Sequence, residues 1–157
     1  MQDNLLWQYS LAVYRRPGVE PLMIALQNLH NADVNVLLCC GWLGSQGQCL
    51  SLDNLQQLID ISRPWQEQCV QPLRAVRRFL KGREGDEAFR EQVKTLEIDA
   101  ELRQQSLIYQ QLQSLTLSSA DPSRAIIDNL GLYGLLLGAA DQGEFSQNLA
   151  DLAKLIK

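Results

Sequence analysis

The shortages in this 157-residue chain narrow its chemistry first. Its single histidine, His30, excludes histidine-rich metal sites and any two-histidine mechanism. Four cysteines occur, but Cys39 and Cys40 are adjacent and Cys49 and Cys69 stand apart, so none has the C-x-x-C spacing of a zinc or redox site. They read as small apolar core residues. Strand formers are scarce: Val, Ile and Thr together number 17 against 29 Leu and 18 Gln, a balance that favours helix. The longest apolar stretch, Leu130 to Ala140, is too short to span a bilayer. Met1-Gln2-Asp3-Asn4 supplies no basic lead into a long apolar run, so no secretory signal and a cytoplasmic location are expected. Neither G-x-S-x-G, H-E-x-x-H nor D-D-x-x-D occurs, so no metal or cofactor is expected and the reading leans away from an enzyme.

What is present suits an all-α, single-domain bundle covering residues 1–157. With 46% apolar and 20% charged residues the chain is neither disordered nor fibrous. Periodicity and cap signals predict about six to eight helices. The first ends at Arg16-Pro17-Gly18; the second starts at Val19 and ends near His30. Asp33 caps a third, Val34 to Leu43, which is apolar on nearly every side and therefore central. Gly44 to Gly47 breaks it, and Ser51 caps the next. Between Arg63 and Lys81, Pro72 predicts a kinked or broken helix whose Trp65, Cys69, Leu73, Val76 and Leu80 share an arc of about 80° towards the core.

The stretch Asp86 to Leu117 has no Gly or Pro and reads as one long helix. Phe89, Val93, Leu96, Ala100 and Leu107 line one face, while Ile108, Leu112 and Leu115 lie about 100° round from it. That turn of the stripe predicts either a bend near Arg103 to Ser106 or pairing with a second copy in a homo-oligomer. Asp121-Pro122 starts a helix through Ala139, and a last helix points Phe145, Leu149, Leu152 and Ile156 inward.

Charge is segregated. The overall −4 and pI near 4.9 argue against nucleic acid as a partner. Residues 63–83 nevertheless carry a net +5, followed by a net −5 over residues 84–101. Arg74, Arg77, Arg78 and Lys81 share an arc of about 100° and form a candidate surface for another protein or an anionic ligand. The plainer reading is that the row pairs with the acidic segment or faces water.

Three further features have a functional and a packing reading. Gly131, Gly134 and Gly138 fall within about 60° on one face, which suits a neighbouring helix or, alternatively, a ligand or a second subunit. His30 suits the open carbonyls at a helix end, Asp33 a cap and Asn35 a buried, hydrogen-bonded amide. Trp7, Tyr14, Trp42 and Trp65 either pack together or, with Arg15, Arg16 and Asn35, line a small-molecule pocket.

The amino-terminal half resembles a family of short, uncharacterised gammaproteobacterial proteins that carry a conserved domain of unknown function. The likeness rests on Leu6-Trp7, Val13-Tyr14-Arg15-Arg16-Pro17-Gly18-Val19, Leu26-Gln27, Asp33-Val34-Asn35-Val36-Leu37-Leu38, Trp42-Leu43, Trp65 and Pro72-Leu73-Arg74-Ala75-Val76-Arg77-Arg78. It implies a bacterial cytoplasmic protein and no particular activity. Together these readings describe a non-enzymatic interaction or regulatory protein acting through its basic helix face; the alternative is a small-molecule-binding protein or enzyme with an aromatic-lined pocket.

Overall fold

The computed structural model describes residues 4–138 and 143–157. Among these, eight α-helices and one π-helical turn form an all-α fold: α1 Leu5–Tyr14, α2 Val19–His30, α3 Val34–Ser45, α4 Leu52–Trp65, the π turn Gln66–Val70, α5 Gln71–Phe79, α6 Glu87–Leu112, α7 Pro122–Leu136 and α8 Gly143–Leu155. The predicted caps are in place. Asp33, Ser51 and Asp121 accept the backbone N–H groups of Asn35, Asn54 and Arg124, satisfying donors that a helix start leaves open.

Helix α3 is central, with Leu37, Cys39, Cys40 and Leu43 all buried. It packs along α7 so closely that a Cβ on Gly44 would lie 2.5 Å from the Ile126 Cα. Gly44 is therefore a point of backbone contact inside α3, not the breaker its position suggested. Two residues further along the helix has ended, and an antiparallel pair joins β1 (Gln48–Cys49) to β2 (Ser118–Ser119), with Gln48 opposite Ser119. Asn129 of α7 secures this corner: its Oδ1 accepts the Leu50 N–H at 2.9 Å, and its Nδ2 donates to the carbonyls of Gln48 at 2.9 Å and Cys40 at 3.2 Å.

Of the three glycines grouped on α7, only Gly134 is a close approach, since a Cβ there would meet Leu149 and Phe145 of α8 within 2.9 Å. Gly131 faces open space, and Gly138 takes a left-handed φ of 70° just past the helix. The helix therefore ends at Leu136, short of the expected Ala139, which itself lies outside the described residues. Helix α8 buries Phe145, Leu149 and Leu152, and Ile156 just past its end is buried too, as the spacing predicted.

Helix α6 ends at Leu112 and runs without interruption through Arg103 to Ser106. No bend is needed, because its inward face includes polar residues: Val93, Glu97, Ala100, Gln104 and Ile108 are all buried. Phe89 and Leu96, expected inside, are 53% and 55% exposed. No described helix is long and apolar enough to cross a membrane.

Candidate functional site

Two prolines shape the region that holds a polar cavity. Pro64 sits inside α4 and Pro72 near the start of α5, and neither can donate a backbone hydrogen bond. Between them the ladder widens: the Gln71 N–H bonds to the Gln66 carbonyl, five residues back. Such single π turns inside α-helices recur at functional sites. The inserted residue moves the buried face to Ser62, Gln66 and Val70, leaving Trp65, Cys69 and Leu73 half-buried and Val76 41% exposed. Of the predicted stripe only Leu80 is buried as expected; the other four members are displaced towards solvent beside the π turn.

Beside the turn lies a cavity of about 230 Å³, walled by the end of α2, the start of α3, α4, the π turn, α5 and α7. Its lining is mainly polar and includes Asp33, Arg63, Gln66, Gln71, Arg74 and Tyr133. Gln66 is only 7% exposed, and its Oε1 has no hydrogen-bond partner. The Tyr133 hydroxyl accepts the Asp33 backbone N–H at 2.8 Å.

Asp33 ends a buried polar chain through the core. Ser10 Oγ lies 3.1 Å from Gln105 Oε1, Gln105 Nε2 donates to Asn35 Oδ1 at 2.9 Å, Asn35 Nδ2 to Gln104 Oε1 at 2.7 Å, and Gln104 Nε2 to Asp33 Oδ2 at 2.6 Å. Every amide donates towards the carboxylate. Burial raises the Asp33 pKa, opposed by the Gln104 hydrogen bond, the backbone N–H groups of Asn35 and Val36, and the charge of Arg74. Asn35 is the buried, bonded amide that its position predicted.

Arg74 links the cavity to a second cluster. Its Nε pairs with Glu97 at 3.3 Å and its Nη2 with Glu101 at 3.4 Å, while Arg77 holds both oxygens of Glu97. Glu97 is 5% exposed and is the charged centre of the α5–α6 contact. Burial, reinforced by the charges of Glu97 and Asp33 and opposed by Arg74, raises Glu101 to about 7. The candidate basic face therefore divides: Arg74 and Arg77 are drawn into ion pairs, whereas Arg78, bonded to Asn28 Oδ1 at 3.1 Å, and Lys81 stay exposed.

The aromatic pocket does not assemble. Trp7 is buried on α1, Trp42 packs on Tyr109 with ring centroids 5.7 Å apart, and the Trp65 indole donates to the Ala100 carbonyl at 2.7 Å. Tyr14 feels the charges of Arg74, Arg77 and Glu101 beside it. Arg15 is exposed, and Arg16 binds the Leu155 and Lys157 carbonyls at 3.2 and 3.1 Å instead of gating an opening. None of these residues, nor Asn35, lines the polar cavity or a second, apolar one of about 190 Å³ between α7 and α8. His30 does not cap its helix: Asn31, at a left-handed φ of 55°, closes α2, and the imidazole stands edge-on to Phe145 at 4.4 Å.

The sequence places α1 and nearly all of α6 within a single matching segment, residues 5–108. The chain belongs to the family described as "Protein of unknown function (DUF2390)". Neither a curated protein nor a solved structure matches the chain. The DUF2390 segment contains Asp33, Arg63, Gln66, Gln71 and Arg74 of the cavity; Tyr133 comes from α7, outside it. Of these six, sequence reasoning named only Arg74 as a site residue; it read Asp33 as a cap and missed Arg63, Gln66, Gln71 and Tyr133 as lining residues. The available signal was the pair of prolines, Pro64 and Pro72, inside one helical pattern, which marks a turn where backbone regularity must give way.

Proposed function

We propose that this protein is a non-enzymatic binder of a small polar molecule, held in the cavity beside the π turn. The observation that carries the reading is the predominantly polar cavity itself, lined by Asp33, Arg63, Gln66 and Arg74, beside a buried Gln66 Oε1 that has no partner. An unpaired buried polar atom is costly to the fold, and a turn of the Gln66 amide towards a ligand donor in the cavity would remove that cost. Burial raises the thiols of Cys39 and Cys40, the latter to about 12, so neither of these two is a poised nucleophile.

Native mass spectrometry of the chain purified from its own host tests this. Wild type is expected to retain a small molecule that Gln66→Leu, folded by circular dichroism, does not. A variant that retains it equally overturns the site. So does an empty wild type that no panel of small polar metabolites stabilises thermally.

A second reading, docking of an acidic protein segment, draws on Phe79, which is 68% exposed beside Arg78 and Lys81, with the Arg83 guanidinium 4.8 Å from its ring centroid. If partners recovered by pull-down are unchanged by the double replacement Arg78→Glu and Lys81→Glu, that reading fails.

A further inference from the structure

We propose that the polar cavity takes a small monocarboxylate, its charged end held by the guanidinium groups of Arg63 and Arg74. This rests on the reading of the cavity as a ligand site and adds the chemical class.

Size sets the first limit. At about 230 Å³ the cavity falls below the roughly 300–1,000 Å³ of pockets for drug-sized ligands, so it suits a molecule of a few carbons.

The placement of charge sets the second. Arg63 comes from α4 and Arg74 from α5, one on each side of the π turn, and both line the cavity. Their charges reach its other walls: that of Arg74 acts on Asp33, and that of Arg63 on the Tyr133 hydroxyl. Arg74 commits Nε to Glu97 and Nη2 to Glu101, but its Nη1 takes part in neither pair and is not sealed in by protein. The Arg63 side chain is 52% exposed, and its contact with Asp60 is a long 3.9 Å. Both guanidinium groups therefore retain donors, and a planar fork matches the shape of a carboxylate.

The opposing charges are weaker. Asp33 has Oδ1 engaged by the Asn35 N–H and Oδ2 by Gln104, and burial raises its pKa, which favours the neutral acid. Glu67 is exposed, so water and salt screen it. Tyr133 adds a further donor: its hydroxyl accepts the Asp33 N–H, and burial raises its pKa, so it keeps its own proton. The ionisable groups of the lining with capacity left are thus chiefly donors. Glu67 in the same lining disfavours a second negative charge on the ligand, which sets a monocarboxylate above phosphate.

Isothermal titration of the full chain tests the class, with L-lactate, 3-hydroxybutyrate and isovalerate each beside its amide, and with inorganic phosphate. At least one carboxylate is expected to bind ten times or more tighter than its amide. Arg63→Gln, at an exposed position that the fold does not depend on, should cut that preference at least threefold, and Arg63→Lys should keep part of it. Equal binding of acid and amide by wild type, or a preference untouched in both Arg63→Gln and a folded Arg74→Gln, overturns the proposal. Tighter binding of phosphate than of any carboxylate, or a neutral or cationic host molecule that Gln66→Leu loses, refutes the class and leaves the ligand site standing. A protein that binds no probe and carries no host molecule overturns both.

Discussion

The α3–α7 seam and the α5–α6 hairpin hold together by different means. Along the seam, Leu37, Cys40, Leu43, Ile126, Leu130 and Tyr133 are buried, Gly44 meets the Ile126 backbone, and Asn129 satisfies the enclosed carbonyls. Shape and exclusion of water dominate there. No residue of α5 is fully buried, and its contact with α6 turns on Glu97 gripping Arg74 and Arg77. Phe79, Phe89 and Leu96 are left facing solvent. The difference teaches where the polar cavity comes from: it opens where the two modes meet, taking Val36 and Tyr133 from the seam helices and Gln71 and Arg74 from the hairpin.

The strongest way to break this contrast is Glu97→Ala. Removing one side of an enclosed ion cluster strands Arg74 and Arg77, and the expected loss is about 3–5 kcal/mol in denaturant unfolding. A loss below about 1 kcal/mol would show that the hairpin does not depend on its charges. Next in size is Gly44→Ala, which forces a Cβ into the Ile126 backbone; overpacking of this kind costs about 1–3 kcal/mol. A neutral result would mean the seam yields more readily than its geometry implies.

Acidity separates the regions further. Burial raises Glu101 from an ordinary 4.5 to about 7, with Arg74 opposing and Glu97 and Asp33 adding to the rise. The folded state then holds the proton more firmly than the unfolded chain. Its contribution favours folding at low pH and is lost as pH rises from about 4.5 to 7. Melting temperatures of wild type should fall across that window relative to Glu101→Gln. Parallel curves would sink the assignment. The smallest effect belongs to Gly131→Ala, at a helical position of α7 that borders the apolar cavity and where an added Cβ meets nothing within 4 Å; a gain of about 0.5–1 kcal/mol is expected from helix propensity. Destabilisation there would reveal a contact on that face.

Much of the architecture was legible in advance. Asp33, Ser51 and Asp121 announced their helices because capping is local: a side chain meets a backbone N–H two or three residues away. The α8 stripe was equally readable, since its period and its burial coincide. Helix α6 misled because polarity was equated with exposure. Glu97, Gln104 and Gln105 are buried, each supplied with partners from elsewhere in the chain, and once they are counted the inward face is continuous. The cavity was less visible still. Its lining spans Gln27 to Leu137, and no sequence interval relates Gln66 to Tyr133.

By itself, then, the sequence determined the helical class, the helix starts and the family, because these depend on neighbours along the chain. The tertiary structure decided which charges are spent on one another and which amide is left without a partner. Arg74 and Arg77 look like an open surface until α6 brings Glu97 against them, 20 or more residues away. Whether a polar group is satisfied depends on atoms that approach only in the folded state, and that is why the candidate site had to be found in space.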